Sequence, residues 1–166
     1  MAGRIVVYSR SGTTARLAED LAGRLGCEIS RIDPGRYGWP VLGYMRAGRD
    51  SLREYRPAIT VTPPVQGADW LVIGSPIWTS YLSTPLRSLV DQRADLPPIL
   101  GVFTTSGGVD EQKNVPLQID GIGAAGAIPP WLSLTTKTHG TEAGEDKIAA
   151  FVAQLQSQIA SIPPGG

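Results

Sequence analysis

The chain has 166 residues, of which 42% are apolar, and its 15 basic and 15 acidic side chains balance, so nucleic acid is not an expected partner. One cysteine and one histidine exclude an intramolecular disulfide and a Cys/His zinc site, and we expect no metal. No apolar run is long enough to span a bilayer, and the N-terminus lacks the layout of a signal peptide. We therefore expect one cytoplasmic domain over residues 1–162, followed by a disordered tail at 163–166.

The N-terminal segment predicts a strand, a loop and a helix in that order. Residues 4–7 form a short apolar run rich in β-branched side chains, which is typical of a buried strand. Leu17, Leu21 and Leu25 then recur every four residues, as on the buried face of a helix. Gly26 follows directly and marks the expected end of that helix.

The loop between this strand and helix is rich in hydroxyl groups. Ser9, Ser11, Thr13 and Thr14 supply hydroxyl donors, and Gly12 allows the backbone to approach a bound group closely. A helix start also leaves backbone N–H groups unpaired and carries a partial positive charge. The loop is therefore suited to a phosphate monoester, although Ser11 or Thr13 capping the helix is an equally open interpretation. The segment is neither a Walker loop nor a Gly-x-Gly-x-x-Gly fingerprint.

Two further apolar strands end in small polar loops. The strand at 69–74 leads into residues 75–85, where Trp78 either lies against a bound ring system or packs on neighbouring loops. Ser83 or Thr84 is expected to cap the helix that follows. A later strand at 99–105 ends in Ser106, Gly107 and Gly108.

The rest of the chain carries weaker signals. Residues 27–32 predict a second strand with Cys27 in the core, and 127–134 predict a last strand that is interrupted by two prolines. Residues 34–64 mix aromatic and arginine side chains, which indicates either a substrate rim or an irregular excursion with solvated arginines; a short helix is expected at 48–56. Further helices are expected from 114 to 123 and from 142 onward.

Strands that alternate with helices predict an open α/β sheet whose strands are parallel. Ligands of such sheets bind beyond the carboxyl ends of the strands, near a topological switch point. The three polar loops all follow strands, so we expect them to meet at one edge of the sheet.

These segments resemble those of the flavodoxin-like family over nearly the whole chain. Residues 9–14 look like the family's FMN phosphate loop, Thr/Ser-x-Thr/Ser-Gly-x-Thr. Residues 74–78 match the loop that borders the flavin ring in many members, and residues 105–108 take the place of the third flavin loop. The resemblance implies a three-layer α/β sandwich with a five-stranded parallel sheet in the order 2-1-3-4-5.

The resemblance also implies FMN as the cofactor and gives roles to residues. The phosphate would be held by Ser9, Ser11, Gly12, Thr13 and Thr14. The ring and the ribityl chain would contact Pro76, Ile77, Trp78 and Thr79. The polar edge of the ring would meet the backbone of Thr105, Ser106, Gly107 and Gly108.

The third loop departs from that of electron-carrier flavodoxins, in which an aromatic side chain often covers the ring and acidic residues surround it. Here the loop is small, and Asp110 and Glu111 are its only nearby acids. An open ring face favours an FMN-dependent oxidoreductase that passes electrons from NAD(P)H or a protein donor to a quinone or another small acceptor. The flavin would do the chemistry, with Tyr81 and His139 as weak candidates for a proton donor. A homodimer that completes the site is compatible with the resemblance.

Four other classes remain as alternatives. The first is a non-enzymatic flavodoxin that carries electrons between protein partners. The second is a serine hydrolase with Ser9 or Ser75 as nucleophile, although the chain has no Gly-x-Ser-x-Gly elbow. The third is a receiver domain, which would need acidic residues where the first strand ends, and the fourth is a scaffold of this fold that has lost its ligand.

Overall fold

The computed structural model describes residues 1–35, 37, 40–108, 112 and 114–163. Asp110 and Glu111, which the sequence analysis placed beside the third loop, lie outside the described residues. The same holds for residues 164–166 of the expected tail. No helix among the described residues has the length and apolar character needed to cross a membrane.

Seven strands form one mixed sheet, in which β5 pairs only with β4 and the other strands follow the order β3-β2-β1-β4-β6-β7. The strands are β1 Gly3–Val7, β2 Glu28–Asp33, β3 Thr60–Thr62, β4 Trp70–Trp78, β5 Tyr81–Leu82, β6 Ile99–Ser106 and β7 Trp131–Thr135. Neighbours among β2, β1, β4, β6 and β7 are parallel, whereas β3 and β5 are antiparallel to their partners.

The predicted five-stranded, all-parallel sheet with order 2-1-3-4-5 was therefore wrong in strand number and in strand direction. The two strands that it omitted contain three and two residues, and both lie in segments that were interpreted as loops. Strands this short show no measurable alternation of apolar and polar residues, so the sequence pattern does not reveal them.

Five α-helices lie between or after these strands in the described part of the chain. They are α1 Thr13–Leu25, α2 Pro40–Leu52, α3 Thr84–Asp91, α4 Val115–Ile119 and α5 Glu142–Ser161. The predictions for α1, α3 and α5 are confirmed, including Gly26 as the residue that ends α1. Ser83 precedes α3, but its side chain forms no capping hydrogen bond, and its Oγ is buried without a partner among the described residues. The helix predicted at 48–56 is confirmed only over 48–52, because α2 begins eight residues earlier, at a proline that suits the first turn of a helix, and ends at Leu52. The last strand begins after its two prolines, since proline lacks the N–H that a strand ladder needs.

The helices cover both faces of the sheet. Apolar side chains of α1 and α5, among them Leu17, Leu21 and Leu155, are buried against one face. Side chains of α3 and α4, including Leu86 and Ile119, are buried against the other face, together with Ala47 of α2. The first six residues of β4 are buried, as expected of a central strand covered on both sides. This arrangement is a three-layer α/β sandwich.

Cys27 was expected in the core but is only half-buried, one residue before β2. It packs at the edge of the cluster beneath α1 and α5. Burial raises the pKa of its thiol to about 11, so the thiol is protonated at neutral pH and is a poor nucleophile.

Gly74 of β4 packs tightly against a buried ring in the sheet core, and we expect Gly74→Ala to lower the free energy of unfolding by about 3 kcal/mol. A Cβ atom there would lie 2.1 Å from the ring of Phe103, which is fully buried and cannot move aside. Urea denaturation checks this, with Phe103→Leu expected to rescue part of the loss. Gly23→Ala is the matched control, because a Cβ within α1 meets no atom within 4 Å and should stabilise the helix.

Candidate functional site

Three strand-end loops meet in one cleft at the carboxyl edge of the sheet. β1, β4 and β6 are neighbours in the sheet and run parallel, so the segments that follow them lie side by side. The cleft has a volume of about 260 Å³. It is lined by Arg10, Ser11, Thr13, Pro76, Ile77, Trp78, Thr105, Ser106, Gly107 and Thr136. Eight of these ten residues, all but Arg10 and Thr136, were candidates from the sequence.

The first loop turns sharply at Gly12, whose φ of 91° lies in the left-handed region that glycine adopts without strain. Its backbone N–H donates to Ser9 Oγ at 3.1 Å, so Ser9 shapes the turn from within. No side chain among the described residues caps α1, which contradicts the interpretation of Ser11 or Thr13 as the cap. Within the described part of the chain, the hydroxyls of Ser11 and Thr13 form no hydrogen bond, and both residues line the cleft.

The hydroxyls of Ser11 and Thr13 lie at the positively charged end of the α1 dipole. The first backbone N–H groups of α1 point toward the loop and carry the partial positive charge of the helix dipole. With Arg10 on the same wall of the cleft, this end of the cleft is suited to an anion such as a phosphate group.

Thr14 does not face the cleft but ties the first loop to the third. Its Oγ1 lies 2.7 Å from Thr105 Oγ1, and both residues are almost fully buried. Since a buried hydroxyl is costly without a partner, this bond fixes the distance between the two loops. Ser9 and Thr14 support the loop from within and do not line the cleft, and their contact with a ligand stays a prediction.

Trp78 forms a wall of the cleft and is held from behind by two tyrosines. Its ring packs edge-on against Tyr8, with centroids 5.5 Å apart, and against Tyr37, with centroids 5.1 Å apart. Burial, with a smaller contribution from Tyr37, raises the pKa of Tyr8 well above its usual range, so its phenol stays neutral. The interpretation that Trp78 packs on its neighbours is confirmed, and the residue also lines the cleft, while its contact with a bound ring system stays a prediction.

The hairpin after Trp78 is supported by α2. Thr79 and Ser80 form its two-residue turn, with φ values of 50° and 68° that a β-branched threonine rarely adopts. Ser51 of α2 donates its hydroxyl to the Trp78 carbonyl at 3.0 Å. Thr79 Oγ1 lies 2.7 Å from the same carbonyl oxygen and 2.9 Å from Ser51 Oγ. Thr79 was predicted to contact a ligand, but it faces α2 and does not line the cleft.

Residues 34–64, interpreted as a possible substrate rim, place α2 behind the cleft wall. The buried Tyr37 hydroxyl donates to Asp50 Oδ2 at 3.0 Å and lies 3.0 Å from Thr84 Oγ1. These bonds join α2 to the start of α3 beneath Trp78. α2 therefore supports the cleft wall from behind, and the interpretation of 34–64 as an irregular excursion is wrong where α2 and β3 form.

The described residues of the third loop, up to Gly108, leave their side of the cleft open. Gly107 and Gly108 are exposed, and a Cβ atom at either position would meet no described atom within 4 Å. Gly107 lines the cleft whereas Gly108 does not. Thr136 donates its hydroxyl to the Gly107 carbonyl at 3.3 Å and its backbone N–H to the Ser106 carbonyl at 3.0 Å. Thr136 directly follows β7, and ligands of such sheets bind beyond the carboxyl ends of the strands, so the argument that predicted the other three loops also applies to Thr136.

The structure does not bring the weak proton-donor candidates into the cleft. The guanidinium carbon of Arg87 lies over the ring of Tyr81, 5.7 Å from the ring centroid. His139 lies in the turn after β7. Neither residue lines the cleft. Within the ranges described above, no group of His, Cys, Asp and Glu is arranged to hold a metal ion.

The hydrolase alternative loses its nucleophile. Ser75 is fully buried, and its hydroxyl donates to the Pro76 carbonyl at 3.0 Å and accepts from the Ser83 backbone N–H at 3.3 Å. Ser9 accepts the N–H of Gly12 inside the first loop. Neither serine is placed beside the chain's only histidine as a catalytic pair would require.

No protein-family model and no curated protein match the chain, whereas many solved structures do. A flavoprotein from Lactobacillus acidophilus in complex with FMN is 23% identical, with a TM-score of 0.61 over 81% of this chain and 91% of that one. A putative flavoprotein from Bacteroides uniformis is 20% identical, with a TM-score of 0.65 over 92% and 97%. An NADH:FMN oxidoreductase in its apo form is 14% identical, with a TM-score of 0.56 over 98% and 92%.

The matches define the class of fold. Flavodoxins are also among the structures of similar architecture. The chain has the flavodoxin-like α/β fold, which confirms the resemblance seen in the sequence at the level of the fold. Its cleft lies where β1 and β4 meet, at the switch point of the strand order, which is where such sheets bind their ligands.

Proposed function

We propose that this chain binds FMN in the cleft and serves as a flavin-dependent oxidoreductase. The observation that carries the proposal is the single cleft formed by three loops that were nominated from the sequence, with free hydroxyls at a helix start on one side and an aromatic wall on another. The flavoproteins of similar fold, one of them in complex with FMN, support it.

The groups present fit this cofactor. Ser11 and Thr13, with the backbone N–H groups at the start of α1, would hold the phosphate. Trp78 and its neighbours Pro76 and Ile77 would border the ring, and the backbone after Thr105 would meet its polar edge. Bound FMN would supply one- and two-electron chemistry, while the protein binds and orients it and limits access of water.

The open third loop supports a small-molecule reaction partner. With Gly107 exposed and no described atom within 4 Å of a Cβ placed on it, a nicotinamide or a quinone would have access to the ring from this side. We propose NAD(P)H or a protein as the electron donor and a quinone or another small molecule as the acceptor. The NADH:FMN oxidoreductase of similar fold supports a nicotinamide donor.

A non-enzymatic electron carrier is the second candidate. The observation that favours it lies on α2, directly behind the cleft wall, where Leu42, Met45 and Leu52 each expose more than three fifths of their surface. Exposed apolar side chains on one element indicate a contact with another protein. In that case the acceptor would be a protein rather than a small molecule.

A visible absorption spectrum of the purified protein, followed by titration of the apo protein with FMN, tests the proposal. We expect a flavin spectrum and release of FMN on denaturation. Loss of the flavin absorbance on addition of NAD(P)H would favour the oxidoreductase, and its persistence would favour the carrier. A colourless protein that neither quenches FMN fluorescence nor gains thermal stability with FMN would overturn the proposal.

Replacing Gly107 by tryptophan tests the open ring face. We expect turnover with NAD(P)H to fall at least tenfold while FMN affinity changes less than threefold, because the side chain would block the approach of the second substrate but not the phosphate loop. Steady-state kinetics and FMN titration of the same preparation measure both. Gly108→Trp is the matched control, since Gly108 is equally exposed but does not line the cleft; equal turnover in both variants and wild type would count against an open reaction face.

A further inference from the structure

A second, smaller cavity lies beside the same hairpin. It has a volume of about 140 Å³ and is lined by Arg56, Leu82, Arg87, Val90, Asp91 and Gln118. Leu82 pairs across the hairpin with Ile77, which lines the first cleft. The two cavities therefore flank one two-stranded ribbon, but they share no lining residue.

Arg87 is a buried cation with little to balance it. Only 4% of its surface is exposed, and in the parts of the chain that the structure describes it forms no ion pair with a carboxylate. One Nη donates to the Ser51 carbonyl at 2.9 Å at the C-terminal end of α2, while its Nε is buried without any acceptor. Burial lowers the pKa of this guanidinium, and the charges of Glu54 and Asp91 oppose that effect only in part. Neither carboxylate bonds to Nε, and a buried charged donor without an acceptor is costly, so an oxyanion that reached it would stabilise this environment.

Two neighbouring side chains leave further donors unused. Arg56 donates its Nε to Asp91 at 2.7 Å and one Nη to the Glu54 carbonyl at 2.7 Å, so its other Nη remains unassigned. Gln118 accepts the Leu82 backbone N–H through its amide oxygen at 2.8 Å, which leaves its amide NH₂ without an acceptor among the described residues. Three side chains of this cavity thus hold spare donors, and its one carboxylate, on Asp91, is already neutralised by Arg56.

We propose that this cavity binds a small oxyanion, the carboxylate or phosphate group of a small molecule, between Arg87, Arg56 and Gln118. A guanidinium offers two parallel N–H donors to such a group, and a planar or tetrahedral oxyanion accepts several hydrogen bonds at once. The site is separate from the proposed FMN cleft and does not depend on FMN binding there. It makes the chain a protein with two ligand sites, one on each flank of the Trp78 hairpin.

Thermal unfolding of the apo protein in sodium acetate and in sodium phosphate, against chloride at constant ionic strength, tests the proposal. At an anion concentration ten times the Kd, we expect the unfolding midpoint to rise by about 4 °C. Acetate probes a carboxylate ligand, and inorganic phosphate probes a phosphate ligand. Arg56→Met should lower the affinity for the anion about tenfold, and Arg87→Met should abolish the rise of the unfolding midpoint.

The first cleft is controlled separately, because its phosphate loop is also suited to an anion. A Ser11→Ala/Thr13→Ala variant should keep the anion-induced rise in full if the second cavity is the site. If Arg87→Met does not fold, the variants Arg56→Met and Gln118→Leu test the anion site in its place, since both residues are partly exposed. The proposal is overturned if neither anion raises the midpoint of the wild type. It is also overturned if the rise survives the changes at Arg56, Arg87 and Gln118, or disappears only in the Ser11/Thr13 variant.

Discussion

Replacing Ser11 and Thr13 together by alanine is expected to weaken FMN binding about a hundredfold while changing the free energy of unfolding by less than about 0.5 kcal/mol. Both hydroxyls line the cleft and form no hydrogen bond within the described residues, so the apo protein loses nothing when they are removed. With FMN bound, each would donate to a phosphate oxygen, and a hydrogen bond to a charged group contributes about 1.5 kcal/mol or more. Quenching of FMN fluorescence and urea denaturation measure the two quantities.

Riboflavin is the control ligand, because it has the ring and the ribityl chain but no phosphate. Its affinity should be the same for the double variant and the wild type. Thr14→Val is the control variant: it leaves the buried Thr105 hydroxyl without a partner and should lower the free energy of unfolding by about 1–3 kcal/mol. An equal loss of FMN and riboflavin affinity in the double variant would show that the loop does not hold the phosphate.

Much of this site could be predicted because its signals are local. An apolar run, a hydroxyl- and glycine-rich turn and a helical repeat are adjacent in the sequence between residues 4 and 25, and each is determined by neighbouring residues. Parallel strands then bring successive strand ends to one edge, so the meeting of the three loops follows from the topology. The roles of individual hydroxyls were not predictable, because the bond between Thr14 and Thr105 joins residues 91 positions apart.

The support behind the cleft was missed for a different reason. The hairpin turn at Thr79 and Ser80 uses positive φ values without the Asn-Gly or Gly residues that normally signal such a turn. It is stable because Ser51, far away in the sequence, bonds to the Trp78 carbonyl. α2 was placed too late because its buried residues, among those whose side chains the structure describes, include Ala47, Asp50 and Ser51, and small or polar residues do not define a helical repeat. Tertiary contacts decide both elements, and no local pattern encodes them.

Replacing Trp78 by alanine is expected to lower the free energy of unfolding by about 3 kcal/mol. We also expect it to lower the affinities for FMN and for riboflavin by the same factor, about tenfold or more. The ring packs edge-on against Tyr8 and Tyr37, so its removal leaves a space behind the cleft wall. The same ring borders the cleft, where it would contact the flavin ring rather than the phosphate. An equal effect on both ligands therefore distinguishes this wall from the Ser11 and Thr13 loop. Urea denaturation and flavin fluorescence titration measure the two changes.

Trp78→Phe separates packing from ligand contact, because a smaller aromatic ring keeps an edge-on contact with the tyrosines but covers less of the cleft. We expect it to recover more than half of the lost stability and a smaller part of the lost affinity. Trp131→Phe is the control elsewhere in the sheet: Trp131 donates its indole N–H to Thr104 and does not line the cleft, so flavin affinity should not change. If Trp78→Ala lowers stability but leaves the affinity for both flavins intact, the ring supports the hairpin alone, and the flavin ring must be held by the third loop.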